Sequence, residues 1–315
     1  MTVEHLGVQP AAKPWGRREL KPWSQSDGTT VIGELRYARN GPDRDASALL
    51  LKLLFTSQAL SIQVHPDDAA AQAVGMRNGK TEAWYVLSAE DGAEVGIGLK
   101  TPVSTEELRD AISDGSIGCL LNWQKAYAGD AFFVPAGTIH AIGAGLVIAE
   151  IQQASDTTYR LFDYGSAREL HIEQAVSVAQ LGPAPRQEPM RHLTKERTLL
   201  VSCDFFVLER VTLPANTLWQ LKAESECWLL LLAGEASIGS MALKLGDAAF
   251  LEADDASIQA GAAPITALLA YAGKDARENL LRDVGPLRDM PDPKKTTIVQ
   301  PLADVPAFPS TETLS

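Results

Sequence analysis

The chain has 315 residues and a mass of 33.8 kDa, enough for one large domain or two ordinary ones with a substantial core. It is 45% hydrophobic and 22% charged, with 24 Gly and 18 Pro, the composition of a folded, turn-rich protein and not of a disordered one. Against 28 Lys and Arg stand 40 Asp and Glu, a formal charge of -12 without a basic cluster, which argues against a nucleic-acid or anionic-membrane surface.

Cys119, Cys203 and Cys227 are too few and too scattered for a disulfide framework, and they fit a reduced, cytoplasmic setting. The opening MTVEHLGVQPAAKPWG carries Glu4 and lacks the basic head and apolar core of a secretory signal. The uncharged stretch AFFVPAGTIHAIGAGLVIA is broken by Pro135, glycines and His140, so it reads as tight turns and not as a lipid-exposed helix.

In chain order, PWGRRELKPW suggests an irregular arm over a sheet, with Trp15 and Trp23 as packing anchors. From Thr30, VIGELRYARN shows mixed alternation, and SALLLKLLFTSQALSIQVHP supplies two apolar runs joined near Ser57 and Gln58, as expected of buried strands. GKTEAWYVLSAEDGAEVGIGLK adds two strands with EDG at the turn. EELRDAISDGSIG reads as a helix capped by Ser104 or Thr105 within a helical insertion near 103–125. AFFVPAG, GLVIAEIQQ and TTYRLFDYG return to strand patterns, so the span from Thr30 to Gly165 predicts an antiparallel barrel or sandwich. LGPAPRQEPM (181–190) marks a connection, after which residues 191–283 again read as strands of a second small barrel. That part has no histidine after His192 and is expected to hold no metal. The tail 284–315, rich in Pro and Asp, reads as extended.

The chemistry concentrates around two histidines. In SIQVHP, Gln63 and His65 stand two positions apart, which along a strand puts both on one sheet face. Glu82 lies two positions from Lys80 at the mouth of the next strand, and His140 follows PAGT after AFFVP. Gln63, His65, Glu82 and His140 converging inside a barrel would offer two nitrogens and two oxygens, a set suited to zinc or another first-row divalent ion. Spacing alone leaves open the alternative of surface Gln63 and Glu82 with buried, hydrogen-bonded histidines. Asp67 and Asp68 read as helix caps, and GxG fragments such as Gly96-Ile97-Gly98 as turns, with no nucleotide-binding loop.

The strings SIQVHPDD, GKTEAWYVL, PAGTIHAIGAG and AEIQQASDTTYRLFDYG, in this order, resemble the type I mannose-6-phosphate isomerases of the short bacterial branch. PWGRREL and RELHIEQAV add to the likeness, which covers about residues 10–180 closely and the remainder loosely. The resemblance implies a mainly β fold of two cupin-like jelly-roll barrels. An N-terminal arm and catalytic barrel would occupy 1–180, and a metal-free barrel 191–283. It implies one Zn2+ on Gln63, His65, Glu82 and His140, with Arg160, Glu150 and Lys80 as catalytic residues. The implied activity is the metal-dependent interconversion of mannose 6-phosphate and fructose 6-phosphate by proton transfer between C1 and C2. The expected partner is a sugar phosphate, with neither nucleic acid nor membrane. Alternatives are a related isomerase for another sugar or sugar phosphate, a metal-dependent oxygenase, and a non-enzymatic sugar-binding cupin.

In one place the pattern departs. Where short relatives place a basic residue after the TYRxxDY stretch, this chain runs DYGSAREL, with Ser166 at that position. Arg168, two residues on, would share its face if the strand continues, and Lys100 at the end of VGIGLK is a second candidate for the anion.

Overall fold

Strands form wherever the sequence alternates or runs apolar, and helices occupy only short connections. The computed structural model describes residues 3–25, 28–40 and 46–287. The first part of the chain gives β1 (Glu4–His5), β2 (Gly7–Arg17), β3 (Ile32–Ala38), β4 (Leu49–Phe55), β5 (Ile62–Val64), α1 (Asp68–Ala73), β6 (Glu82–Ala89) and β7 (Glu94–Leu99). It continues with α2 (Thr105–Ser113), α3 (Ile117–Leu120), β8 (Leu121–Lys125), β9 (Ala131–Val134), β10 (His140–Ile142), β11 (Leu146–Gln153), β12 (Tyr159–Phe162) and α4 (Ile172–Val178). Residues 181–190 carry neither helix nor strand. Beyond them come β13 (Arg191–His192), β14 (Arg197–Ser202), β15 (Phe206–Leu213), β16 (Thr217–Ala223), β17 (Cys227–Ala233) and β18 (Ala236–Ile238). The described chain closes with β19 (Met241–Leu243), β20 (Ala248–Leu251), β21 (Asp254–Ala260), β22 (Ile265–Ala272) and β23 (Leu281–Pro286).

The mainly β expectation holds, but the two barrels do not. The strands make four open sheets, ordered β2-β3-β4-β11-β6-β9, β12-β5-β10-β7-β8, β1-β20-β17-β22-β15-β14-β13 and β19-β18-β21-β16-β23. None closes on itself. Alternation and turn spacing specify which face of a strand is buried, and they carry no information about whether the two edge strands meet. Here the edges are finished by side chains instead: the Gln187 amide accepts from Phe133 N–H at 2.8 Å and donates to Ala131 C=O at 3.0 Å along β9.

The sheets stack in layers. Helices α2, α3 and α4 cover the outer face of the β12-to-β8 sheet through Leu108, Ile112, Ile117 and Ala175. Its inner face meets the β2-to-β9 sheet through Trp84, Val95, Ile97, Val134 and Ile148. The far face of that six-stranded sheet, with Leu51, Leu53, Phe55 and Tyr85, packs on Phe206, Trp228 and Phe250 of the seven-stranded sheet. A further apolar layer joins the seven-stranded sheet to the last one. Strand β4, LLLKLLF, is therefore buried on both faces.

Local departures have local causes. PWGRRELKPW is only partly an irregular arm: its first four residues, Pro14 to Arg17, end β2, which pairs with β3, and the remainder carries neither helix nor strand. Trp15 is buried in the core between the two facing sheets and Trp23 packs against the next layer. The helical insertion ends in strand β8 after α2, which carries a full capping box between Ser104 and Glu107. Asp67 caps α1, accepting from Ala70 N–H at 2.8 Å. Val284 belongs to β23, which pairs with β16, and the rest of the proposed tail from 288 lies outside the described residues. Among the described residues no helix is long and apolar enough to cross a membrane.

Candidate metal centre and active site

A cleft of about 660 Å³ opens between the two facing sheets of the first part of the chain. Cross-strand register builds its walls. On one sheet Gln63 stands between His140 of β10 and Arg160 of β12. On the other, Glu150 of β11 lies between Trp84 of β6 and Lys52 of β4, and Lys52 is opposite Arg36 of β3. Because side chains alternate along strands, each such row faces the same way.

Behind Gln63 and Lys80 of the cleft wall, which contact His140 and Glu82, the residues His65, Glu82 and His140 are buried, and one ligand atom from each lies within 4.8 Å of the others. His65 Nε2 is 3.5 Å from Glu82 Oε2, and His140 Nε2 is 3.5 Å from Glu82 Oε1. Each ring also places its Nδ1 against a backbone carbonyl, His65 on Thr157 at 2.9 Å and His140 on Thr138 at 2.8 Å. A neutral imidazole that donates from Nδ1 keeps a lone pair on Nε2, so both rings aim ligand nitrogens at the same carboxylate. Burial, with the Lys80 ammonium adding to it, pushes His65 down to about 3, and burial also lowers His140. Gln63 Nε2 lies 3.2 Å from His140 Nε2 and its Oε1 accepts from Ser61 at 3.1 Å, so a half-turn of the amide brings the oxygen to the cluster.

The donor set fits a divalent cation. Glu82 Oε2 is buried 2.7 Å from Lys80 Nζ, yet accepts no hydrogen bond of proper geometry, while Oε1 accepts from Trp84 Nε1 at 3.1 Å. Burial works against the Glu82 charge, but Lys80 and His65 hold its carboxyl well below the usual range. An ionised carboxylate with two converging neutral imidazoles is a hard and borderline ligand set for a first-row divalent metal.

Lys80 Nζ is also 3.1 Å from His65 Nε2. Burial pulls its ammonium down, and the charges of Glu82 and Glu150 outweigh that pull and raise it. Glu150 is buried and its carboxyl is pushed up, by burial and by Glu82, against the opposing effect of Lys80 and Lys52. A buried carboxyl shifted upward holds its proton more readily than a free one, which suits a group that exchanges protons.

Arg160 lines the cleft, and its Nε donates to Glu169 C=O at 2.9 Å. The other lysines and arginines lining the cleft are ion-paired: Lys13 with Glu34, Arg36 with Asp156, Lys52 with Glu150, Lys80 with Glu82 and Arg168 with Asp163. Among the described residues Arg160 alone of these cations faces no carboxylate, so it is the guanidinium available to an anion. Lys100 is outside the cleft, with Nζ donating to Cys119 C=O at 2.9 Å. Arg168 reaches the cleft, but not by strand periodicity: β12 ends at Phe162, and Tyr164 and Gly165 at φ 49 and 80° turn the chain back. Sequence reasoning missed Lys52, buried with Nζ 2.8 Å from Gln152 Oε1 and 3.5 Å from Glu150 Oε1. Its signal was the lone charge in LLLKLLF.

No protein-family model matches the chain. It is 41% identical over 213 residues to the mannose-6-phosphate isomerase of Streptococcus mutans, an alignment covering 63% of this chain and 66% of that protein. It is 40% identical over 172 residues to mannose-6-phosphate isomerase ManA of Bacillus subtilis, covering 51% of this chain and 54% of the relative. The alignments thus span from about half to just under two thirds of these relatives' lengths. The crystal structure of the Bacillus subtilis mannose 6-phosphate isomerase superposes with a TM-score of 0.74 at 27% identity, covering 86% of this chain and all of that one. A phosphomannose isomerase variant from Salmonella typhimurium shares the fold at 17% identity, with a TM-score of 0.69 over 87% of this chain and 100% of its own. The cluster able to hold a divalent metal, the cleft beside it and these similarities point the same way: over the aligned part of its length and in its fold, the chain is similar to the mannose-6-phosphate isomerases of bacteria.

Proposed function

We propose that the chain interconverts mannose 6-phosphate and fructose 6-phosphate, with Zn2+ held by Gln63, His65, Glu82 and His140. The observation that carries the reading is the buried His65, Glu82 and His140 cluster in contact with Lys80 and Gln63, which line a cleft together with Glu150, Lys52 and Arg160. Bound there, a divalent ion supplies Lewis-acid stabilisation of the oxygen charge that develops as the enediolate forms.

The chain's own residues do the rest. The reaction takes a proton from C2 of the open-chain aldose and returns one to C1, while a hydroxyl proton moves between the oxygens. Glu150 and Lys80 are the buried titratable groups beside the cluster that exchange these protons. The Arg160 guanidinium stays protonated and serves as a clamp on developing or phosphate charge. Lys52, opposite Glu150 on the neighbouring strand, supplies a second cation on that wall of the cleft. Trp15, Leu54, Leu60 and Ile142 form the apolar part of the wall and keep water from the sugar. The protein's charge of -12 does not oppose this, because the cations are concentrated at the cleft and act at contact distance.

The test is a coupled isomerase assay on metal-reconstituted protein, comparing mannose 6-phosphate with mannose. Turnover of the phosphorylated sugar that is lost on chelation supports the reading. Absence of turnover on both, with metal bound, refutes it.

A further inference from the structure

Arg160 sits on an edge strand. One side of β12 pairs with β5, and the other meets no strand among the described residues. On that open side His171 takes both backbone groups of Arg160: its N–H donates to Arg160 C=O at 2.8 Å, and its Nδ1 lies 3.3 Å from Arg160 N–H as acceptor. With the Arg160 Nε bond to Glu169 C=O, three bonds tie this residue to the segment 169–171. An imidazole that accepts at Nδ1 carries its proton on Nε2, and His171 lines the cleft.

What brings 169–171 back against Arg160 is a tight reversal closed by one ion pair. After Tyr164 and Gly165 turn the chain, Ser166 N–H donates to Asp163 C=O at 2.8 Å. Arg168 then grips the Asp163 carboxylate with two bonds, Nε to Oδ2 at 2.7 Å and Nη2 to Oδ1 at 2.5 Å. Asp163 is buried, so an anion drawing Arg168 away would leave a buried carboxylate unpaired. The fork geometry that makes arginine a good phosphate ligand is already used.

We propose that residues 163–171 form a clasp that sets Arg160 in the cleft, with Arg168 locking the turn onto Asp163 and His171 bracing the Arg160 backbone. Arg168 and His171 are positioning residues, and Arg168 is not a phosphate ligand. The proposal rests on the reading of Arg160 as the substrate clamp.

Two measurements test it on the full, metal-loaded chain. In steady-state assays with mannose 6-phosphate, Arg168→Lys, Arg168→Ala and Asp163→Ala each lower kcat by about tenfold, with KM changed less than about twofold. The Arg168→Ala/Asp163→Ala double variant is no worse than either single change, because both open the same clasp. His171→Asn, whose Oδ1 can accept from Arg160 N–H, recovers most of the activity lost in His171→Ala. Amide hydrogen exchange at Arg160, which needs no turnover, is faster by at least about tenfold in Arg168→Ala and His171→Ala than in the unaltered chain. Unchanged exchange at Arg160 in those variants overturns the clasp, whatever the kinetics. So does a raised KM at constant kcat in Arg168→Ala together with a silent Asp163→Ala, the signature of a direct phosphate contact. Should Arg160→Lys keep full turnover, the functional reading of Arg160 fails, and the exchange result still decides the clasp.

Discussion

Gln63 and His140 face each other directly across β5 and β10, with their Nε2 atoms 3.2 Å apart. That pairing fixes the distance between two of the proposed ligands by backbone register and not by loop conformation. The other wall brings Glu82 to the same place from β6, so the cluster depends on how the two sheets pack. Metal sites built on strands in this way are held more tightly than sites on loops.

His65→Ala and His140→Ala each remove one of two converging imidazoles from a buried carboxylate. Both variants are expected to lose bound metal and activity while keeping their far-ultraviolet circular dichroism. Elemental analysis of the purified variants reads this directly: a full equivalent of tightly bound metal in either would place the ion elsewhere.

Replacing Arg160 with lysine keeps the charge and removes the planar fork. Turnover should fall by about 10²-fold with metal content unchanged, the scale of losing a directed donor to transition-state charge. A changed Michaelis constant at constant turnover would make Arg160 a ground-state contact instead.

Lys52→Met keeps the length of the stem and deletes the ammonium. Loss of a charge-assisted bond is worth about 10- to 100-fold in affinity, so KM for mannose 6-phosphate should rise while that for unphosphorylated mannose changes little. Equal effects on both sugars would show that Lys52 acts through Glu150 and not on phosphate.

In metal-free protein, His65 titrates at about 3 when folded against 6.5 for the free side chain, because burial disfavours the imidazolium. The unfolded chain therefore binds one more proton at this residue once pH falls below 6.5, and stability drops with acidification. From pH 6.5 down to about 5, before the carboxylates of the unfolded chain titrate, the slope attributable to His65 grows from about 0.7 toward ~1.4 kcal/mol per pH unit as the unfolded imidazole fills. Urea midpoints of the chelated protein and of His65→Gln should diverge by that slope as pH rises through this window. Parallel curves would mean that His65 is not held neutral by burial.

The ligand cluster was legible because its signals are short-range. The two-residue spacing in QVH places Gln63 on β5 and His65 just past its end, and the KTE and GTIH strings match a family pattern. Lys52 was not, because LLLKLLF is buried on both faces and shows no alternation that would mark which face the lysine takes. The barrel expectation failed for a related reason. Strand patterns such as GELRYA encode a face, while closure depends on which edges meet, and here Gln187 and His171 finish edges that a barrel would have joined. Arg168 was extrapolated along a strand that stops at Phe162, before the positive φ values of Tyr164 and Gly165 end the two-residue period.

Strand β4 carries Lys52 toward the cleft and Leu51 and Leu53 toward Phe206 and Trp228 of the seven-stranded sheet. A partition with chemistry on one side and an apolar seam on the other cannot relax on one side alone. Substitutions such as Phe206→Ala, far from any substrate atom, should therefore be read as kinetic lesions as much as stability lesions. Improvements selected for thermal tolerance along that seam should shift turnover without altering a single group in the cleft.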